Sequence, residues 1–142
     1  MGAEEITIRV AVRGDVPDVL DLWSRARSAA ARTPDDAAGV ERLIERSPDA
    51  LLLAEHGDEI VGVLIAAWDG WRGNMYRLAV LPELRRHGIA RRLVEEGHDR
   101  LRAKGARRVT ALVGSEESEA MVLWVATGYE RDDLVVRFVR NL

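Results

Sequence analysis

Apolar positions along the chain follow two different periods, and each switch between them marks an element. Residues 6–10, Ile-Thr-Ile-Arg-Val, set apolar side chains at every second position, the spacing of a half-buried strand. Gly14 and Asp15 end that run, and Asp15 followed by Pro17 reads as a helix start. Val16, Val19, Leu20, Leu22 and Trp23 then fall on one stripe, which predicts a first helix to about Ala29. Thr33-Pro34-Asp35-Asp36 opens a second helix with Val40, Leu43 and Ile44 inward, and Ser47-Pro48-Asp49 ends it. Strand-like runs return at 50–55 and 59–68, joined by the turn sequence His56-Gly57-Asp58. Asp69-Gly70-Trp71-Arg72-Gly73 turns the chain again, into a fourth strand over 74–80.

Helical spacing resumes at Ile89, Leu93, Val94 and Leu101, predicting a helix over 88–104 with Gly105 as its C-cap. Residues 108–113 form a fifth strand, which should run parallel to the fourth because a helix separates them. A last long helix over 117–127 is closed by Gly128, and 129–132 with 134–139 make a final pair of strands. The resulting order is β-α-α-β-β-β-α-β-α-β-β. It describes an α/β (α+β) chain with a mixed central sheet of six to seven strands flanked by about four helices. At 142 residues the expectation is one domain spanning 1–142.

Composition narrows the chemistry. A net charge of −3 argues against nucleic acid as a partner, since such domains usually carry a basic excess. The apolar run at 60–68 is too short to span a bilayer, so no membrane is expected. Residues 1–10 lack the apolar stretch of a signal peptide, which leaves the cytoplasm as the expected location. There is no cysteine, which removes disulfides, thiol catalysis and zinc-thiolate sites. His56, His87 and His98 are not paired at metal-ligand spacing, and no metal is expected.

Basic residues nonetheless crowd where the helix over 88–104 begins. The opening amides of a helix have no partner inside it, and the macrodipole adds partial positive charge there. With Arg85, Arg86, Arg91 and Arg92 alongside, these amides suit a phosphate or diphosphate. Gly88 lets an anion approach the backbone, and Ala90 keeps the next turn small. Taken alone, those residues fit a solvated basic helix start equally well.

The run Arg85-Arg86-His87-Gly88-Ile89-Ala90, preceded by Leu78-Ala79-Val80 and Pro82, resembles the acyl-CoA grip of the GNAT N-acetyltransferase superfamily. Two further features carry the same resemblance. The element order is similar to the GNAT fold over essentially the whole chain. Residues 120–129, Ala-x-x-Leu-Trp-x-x-x-Gly-Tyr, are similar to the C-terminal family motif Asn-x-x-Ala-x-x-Leu-Tyr-x-x-x-Gly-Phe. The resemblance implies that strands four and five splay apart to admit the pantetheine arm. The arm would pair with the backbone of Leu78, Ala79 and Val80. The diphosphate would lie on the segment Arg85, Arg86, His87, Gly88, Ile89, Ala90 and Arg91.

The implied reaction is acetyl transfer from acetyl-CoA, as co-substrate, to a primary amine by direct attack within a ternary complex. The amine must first lose a proton, because an alkylammonium with a pKa of about 10.4 is not nucleophilic at neutral pH. Tyr76, expected to share a face with Leu78 and Val80, is one candidate base, and Glu116 or Glu117 beyond strand five is another. A glutamate at a helix start also fits ordinary capping. The family tyrosine that protonates the departing thiolate is replaced here by Trp124, whose indole donates a hydrogen bond but is no acid. Glu117 stands at the position of the family asparagine.

The implied acceptor is a small-molecule amine or a peptide or protein amine, and the acidic cluster Glu116, Glu117 and Glu119 could attract one ammonium group, which points to a small amine. Trp68 and Trp71 flank a turn and offer a surface for a homodimer. A non-catalytic acyl-CoA-binding module of the same fold is the alternative, motivated by Trp124. A nucleotide-binding domain is disfavoured, because neither Gly-x-x-x-x-Gly-Lys-Ser/Thr nor Gly-x-Gly-x-x-Gly occurs after the first strand.

Overall fold

The computed structural model describes residues 5–26 and 35–142. Strand β1 (Ile6–Val10) leads through a 3-10 turn (Arg13–Asp15) into helix α1 (Val16–Arg25). The predicted continuation of this helix over 27–29, and the Thr33-Pro34 start of the next, lie outside the described residues. Helix α2 (Ala37–Arg46) opens on Asp36, whose carboxylate accepts from the Gly39 amide at 2.7 Å. Asp15, by contrast, makes no cap with its side chain. Its carboxylate accepts instead from Arg9 (2.8 and 2.9 Å) and from the Val12 amide (2.8 Å), tying the helix entrance to β1.

Strands β2 (Leu51–His56), β3 (Glu59–Trp68) and β4 (Gly73–Val80) follow as an antiparallel meander, with Gly57 at φ +61° in the first turn. Helix α3 (Ile89–Ala103) crosses to strand β5 (Val109–Ala111), and helix α4 (Ser118–Ala126) follows. The sheet order is β1-β2-β3-β4-β5, antiparallel except for the parallel β4–β5 pair that the crossover predicts. Among the described residues no helix is long and apolar enough to cross a membrane.

Leu51 to Ala54 and Val61 to Leu64 are buried without interruption, so the middle of the sheet is covered on both faces. Gly62, Ala66 and Met75 face α3; a Cβ on Gly62 would stand 3.1 Å from Leu93, and one on Gly97 would stand 2.8 Å from Met75. Val61 and Val63, which alternate with these positions, point to the opposite face. There α1 packs on β3 and β4 with Val19, Leu22 and Trp23 fully or nearly buried.

Two expectations fail. The sheet has five strands among the described residues, not six to seven, because 129–132 and 134–139 form no ladder. The composition of 134–139 suits a strand, but an isolated strand leaves its backbone groups unpaired, and local bonds take over at its root. Asp132 accepts from the Leu134 amide at 3.0 Å and Arg131 pairs with Asp133 at 2.8 Å, closing a turn in place of a ladder.

The second failure concerns Tyr76. The β3–β4 register runs Gly62↔Val80 and Val63↔Ala79, then slips to Ile65↔Tyr76, so Arg77 and Leu78 together oppose Leu64. The extra residue reverses the alternation. Val80, opposite Gly62, faces α3, whereas Tyr76, opposite Ile65, faces the other side. Tyr76 and Val80 do not share a face.

Candidate active site

The β4–β5 pair holds together for three rungs: Gly73↔Val109, Asn74↔Thr110 and Met75↔Ala111. One further bond, from the Leu112 amide to the Met75 carbonyl, is already stretched to 3.5 Å. Beyond it the strands part, and the edge of β4 from Tyr76 to Val80 has no ladder partner on that side among the described residues. The Leu81 amide turns toward β3 and donates to Val61 at 2.9 Å. Successive amides alternate between strand edges, so the Val80 amide points into the opening. Ala79 and Val80 are buried and Leu78 is half-buried along its wall.

The strand is bent at this point by Arg77, whose φ of +56° is unusual for a residue with a side chain. Three contacts hold it. The Trp23 indole Nε1 donates to the Arg77 carbonyl at 3.1 Å. The guanidinium lies 4.7 Å over the indole ring. It also pairs with Asp35, just before α2. Sequence reasoning assigned neither Arg77 nor Trp23 a role. An arginine gives no local signal for a left-handed conformation, and Trp23 reads only as part of an apolar stripe.

Below the opening, a 3-10 turn (Pro82–Leu84) delivers the chain to the start of α3. Arg86 (φ +68°) and Gly88 (φ +77°) are both left-handed, with His87 between them. The first amide of α3 that finds a helical carbonyl is that of Arg92, which donates to Gly88 at 3.1 Å. The amides of Ile89, Ala90 and Arg91 come earlier and have no preceding turn to bond. A Cβ built on Gly88 would meet nothing within 4 Å, so the space above this glycine is open.

No acidic residue occupies the first turn of α3. Arg85, Arg86, His87 and Gly88 are exposed, while Ile89 is core at 1 % exposure and contributes only its backbone. Arg91 lies along Glu95 at 3.2 Å, and Arg86 reaches Glu119 of α4 at 3.4 Å. Both pairs are solvent-exposed and weak enough for an anionic ligand to displace. The open helix start and the strand edge without a ladder partner thus follow one another along the chain.

The remaining predicted residues are distributed differently. Trp124 is core, 6 % exposed, with its ring edge-on to Tyr129 at 4.9 Å. The Tyr129 hydroxyl is bonded to His98 Nε2 at 2.7 Å on α3, and burial pushes its pKa up to about 12. Glu117 is the N-cap of α4 through its backbone: its amide donates to Gly114 at 3.0 Å and its carbonyl accepts from Met121 at 2.9 Å. Its side chain makes no cap bond. Tyr76 is half-buried on the side of the sheet that carries α1. Trp68 is half-buried against the core, whereas Trp71 is exposed. Among the described residues no group of three or more histidine, aspartate and glutamate side chains could hold a metal ion.

Residues 16–129 match the model of the acetyltransferase (GNAT) family. A curated relative, acetyltransferase SG1711 of Sodalis glossinidius (strain morsitans), is 30 % identical over 135 residues, covering 95 % of this chain and 94 % of its own. Among solved structures, the fold is similar to an aminoglycoside acetyltransferase, meta-AAC0020, from an uncultured soil metagenomic sample in complex with trehalose. That pair has a TM-score of 0.79 at 18 % identity, covering 99 % of this chain and 98 % of the other. It is also similar to AAC(6')-Iy in complex with the bisubstrate analogue CoA-S-monomethyl-acetylneamine, with a TM-score of 0.76 at 19 % identity and coverage of 96 % and 99 %. With the parted strands, the left-handed glycine and the open helix start in place, the chain belongs to the acetyltransferase (GNAT) family.

Proposed function

We propose that this chain, acting as one domain over 1–142, moves the acetyl group of acetyl-CoA to a primary amine of a small molecule by direct attack in a ternary complex. The observation that carries the reading is the parting of β4 from β5 after Met75 and Ala111, immediately before the anion-ready start of α3. Pantetheine amides would bond the open edge at Leu78, Ala79 and Val80. The diphosphate would take the amides over 86–91, with Arg85 and Arg86 adding charge-assisted bonds.

In the transfer itself, the amine nitrogen bonds to the thioester carbonyl carbon, the carbon–sulfur bond breaks, and the amine proton is lost. Negative charge develops on the carbonyl oxygen, and the Val80 amide is the donor aimed at that side of the slot. Tyr76, through a water, or Glu117 would take the amine proton. Trp124 cannot protonate the sulfur, so the thiolate, with an ordinary thiol pKa of about 8.5, would leave and gain its proton from water. A small amine is favoured over a peptide amine because two structural neighbours are described as aminoglycoside acetyltransferases and Glu116, Glu117 and Glu119 could hold one ammonium.

The specific observation favouring a second reading, an acyl-CoA-binding module without turnover, is Trp124 itself, buried where the family carries a tyrosine. A thermal-shift comparison of acetyl-CoA with ATP, followed by thiol release across amines, polyamines and amino acids, separates the readings. Stabilisation by acetyl-CoA with thiol release supports transfer; stabilisation with silence across the panel supports the module. Gly88→Glu should abolish acetyl-CoA stabilisation, since the new carboxylate enters the open space above the helix start. Normal binding by that variant would overturn the diphosphate assignment.

A further inference from the structure

A left-handed backbone suits glycine, and a residue with a Cβ persists there only when its surroundings over-determine it. Arg77 takes φ +56° at the bulge where it and Leu78 together oppose Leu64. Its Nε is, among the described residues, the one buried side-chain nitrogen or oxygen without a hydrogen-bond partner. An unsatisfied buried donor destabilises the fold. On stability alone, then, this arginine is a poor choice for its position.

Its side chain links three elements. The guanidinium lies 4.7 Å over the Trp23 ring of α1 and pairs with Asp35, which precedes the N-cap of α2. Both members of that pair are enclosed, each side chain 24 % exposed, so solvent screens their attraction little. The pairs that α2 makes through Glu41 and Glu45 involve Arg13, which is largely in solvent, and are correspondingly weak.

We infer that Asp35 is a positioning residue for the coenzyme: acting through Arg77, its carboxylate holds the kink that turns the Val80 amide into the opening of β4. This rests on the placement of pantetheine along β4 proposed above. Amides of a strand alternate between its two edges, so the extra residue at the kink decides which of them face the opening. With Arg77 left-handed, the Leu81 amide bonds Val61 and the Val80 amide faces the slot. Were Arg77 to relax to extended backbone, a slip of one residue would exchange the two edges. Asp35 opposes that slip from outside the sheet, and itself touches neither the thioester nor the amine.

Calorimetric titration with two ligands tests the inference. Acetyl-CoA carries the pantetheine arm; phospho-ADP, the nucleotide half of the coenzyme, lacks it. Asp35→Asn keeps the side-chain size and removes the charge. It should weaken acetyl-CoA binding about five- to tenfold, the effect of one well-placed hydrogen bond, and leave phospho-ADP binding unchanged. Arg77→Gly bypasses the link, because glycine takes the left-handed conformation without help from a side chain. In that background Asp35→Asn should have no further effect on acetyl-CoA. Glu41→Gln, which removes a different ion pair of α2, should keep the wild-type ratio of the two affinities. The role of Asp35 is overturned if Asp35→Asn spares acetyl-CoA, or weakens both ligands equally. It is overturned as well if the loss persists beside Arg77→Gly, or if Glu41→Gln reproduces it. A wild type that binds acetyl-CoA no better than phospho-ADP overturns the slot itself and this role with it. Thiol release decides acetyl transfer separately, since the split in affinity is read without turnover.

Discussion

Trp23 does more than fill the core. Its indole N–H is the donor for the Arg77 carbonyl, and its ring supports the Arg77 guanidinium, so one side chain holds the kink that opens β4. A left-handed residue with a Cβ costs roughly 1–2 kcal/mol, which the three contacts of Arg77 must offset. Trp23→Phe keeps the apolar ring but strands a half-buried carbonyl, at a cost of about 1–2 kcal/mol. Urea unfolding should show a lower midpoint with an unchanged slope; an unchanged midpoint would mean that the kink holds without its donor. Trp124 poses a different question. Trp124→Tyr should raise turnover by supplying the sulfur with a proton, while thinner packing against Tyr129 lowers stability by about 1 kcal/mol. An unchanged rate alongside that loss would show that thiolate protonation does not limit the reaction.

Helix α3 carries the proposed anion cradle at its start, and its seat depends on Gly97. A Cβ there would come 2.8 Å from the Met75 side chain and 3.3 Å from Ala66, so the helix lies close against β3 and β4. Gly97→Leu should cost about 1–3 kcal/mol through overpacking and, by lifting the helix, weaken acetyl-CoA binding. Calorimetric titration and thermal unfolding together check this; lost stability with undiminished affinity would show that the cradle does not depend on the seat of the helix. This helix was legible in the sequence because its signals are local: a glycine at each end and an apolar stripe at Ile89, Leu93, Val94 and Leu101. The meander and the parallel β4–β5 pair were legible for similar reasons, through turn glycines and an intervening helix. The kink in β4 was not, since the donor for Arg77 lies 54 positions away in sequence at Trp23. That kink also reversed the face expected for Tyr76. The last two strands misled in the opposite way: their composition favours extended chain, but a strand also needs an edge to pair with, and period alone cannot supply one.

The fold should respond to acid in two separate steps, because a half-buried histidine and a buried aspartate resist protonation for different reasons. His98, on α3 and bonded to the Tyr129 hydroxyl, has its pKa lowered from 6.5 mainly by burial and next by nearby Arg102, with Asp99 and Glu95 partly opposing. Asp15 is lowered from 3.8 chiefly by its hydrogen bonds from Arg9, which also holds Glu55 at 2.9 Å, while burial opposes the shift. In both cases the unfolded chain binds a proton more readily than the folded one, so stability falls as pH falls. The His98 contribution is complete above about 6.5 and declines below it toward the folded value; the Asp15 contribution is complete above about 3.8 and declines only in stronger acid. His98→Gln keeps a polar partner for the Tyr129 hydroxyl and removes the first titration. Melting temperatures of the two proteins should run parallel above neutrality and converge below pH 6.5, where the wild type loses more. If both decline equally between pH 6.5 and 5, His98 does not carry the first step, and the acid response begins with the carboxylates alone.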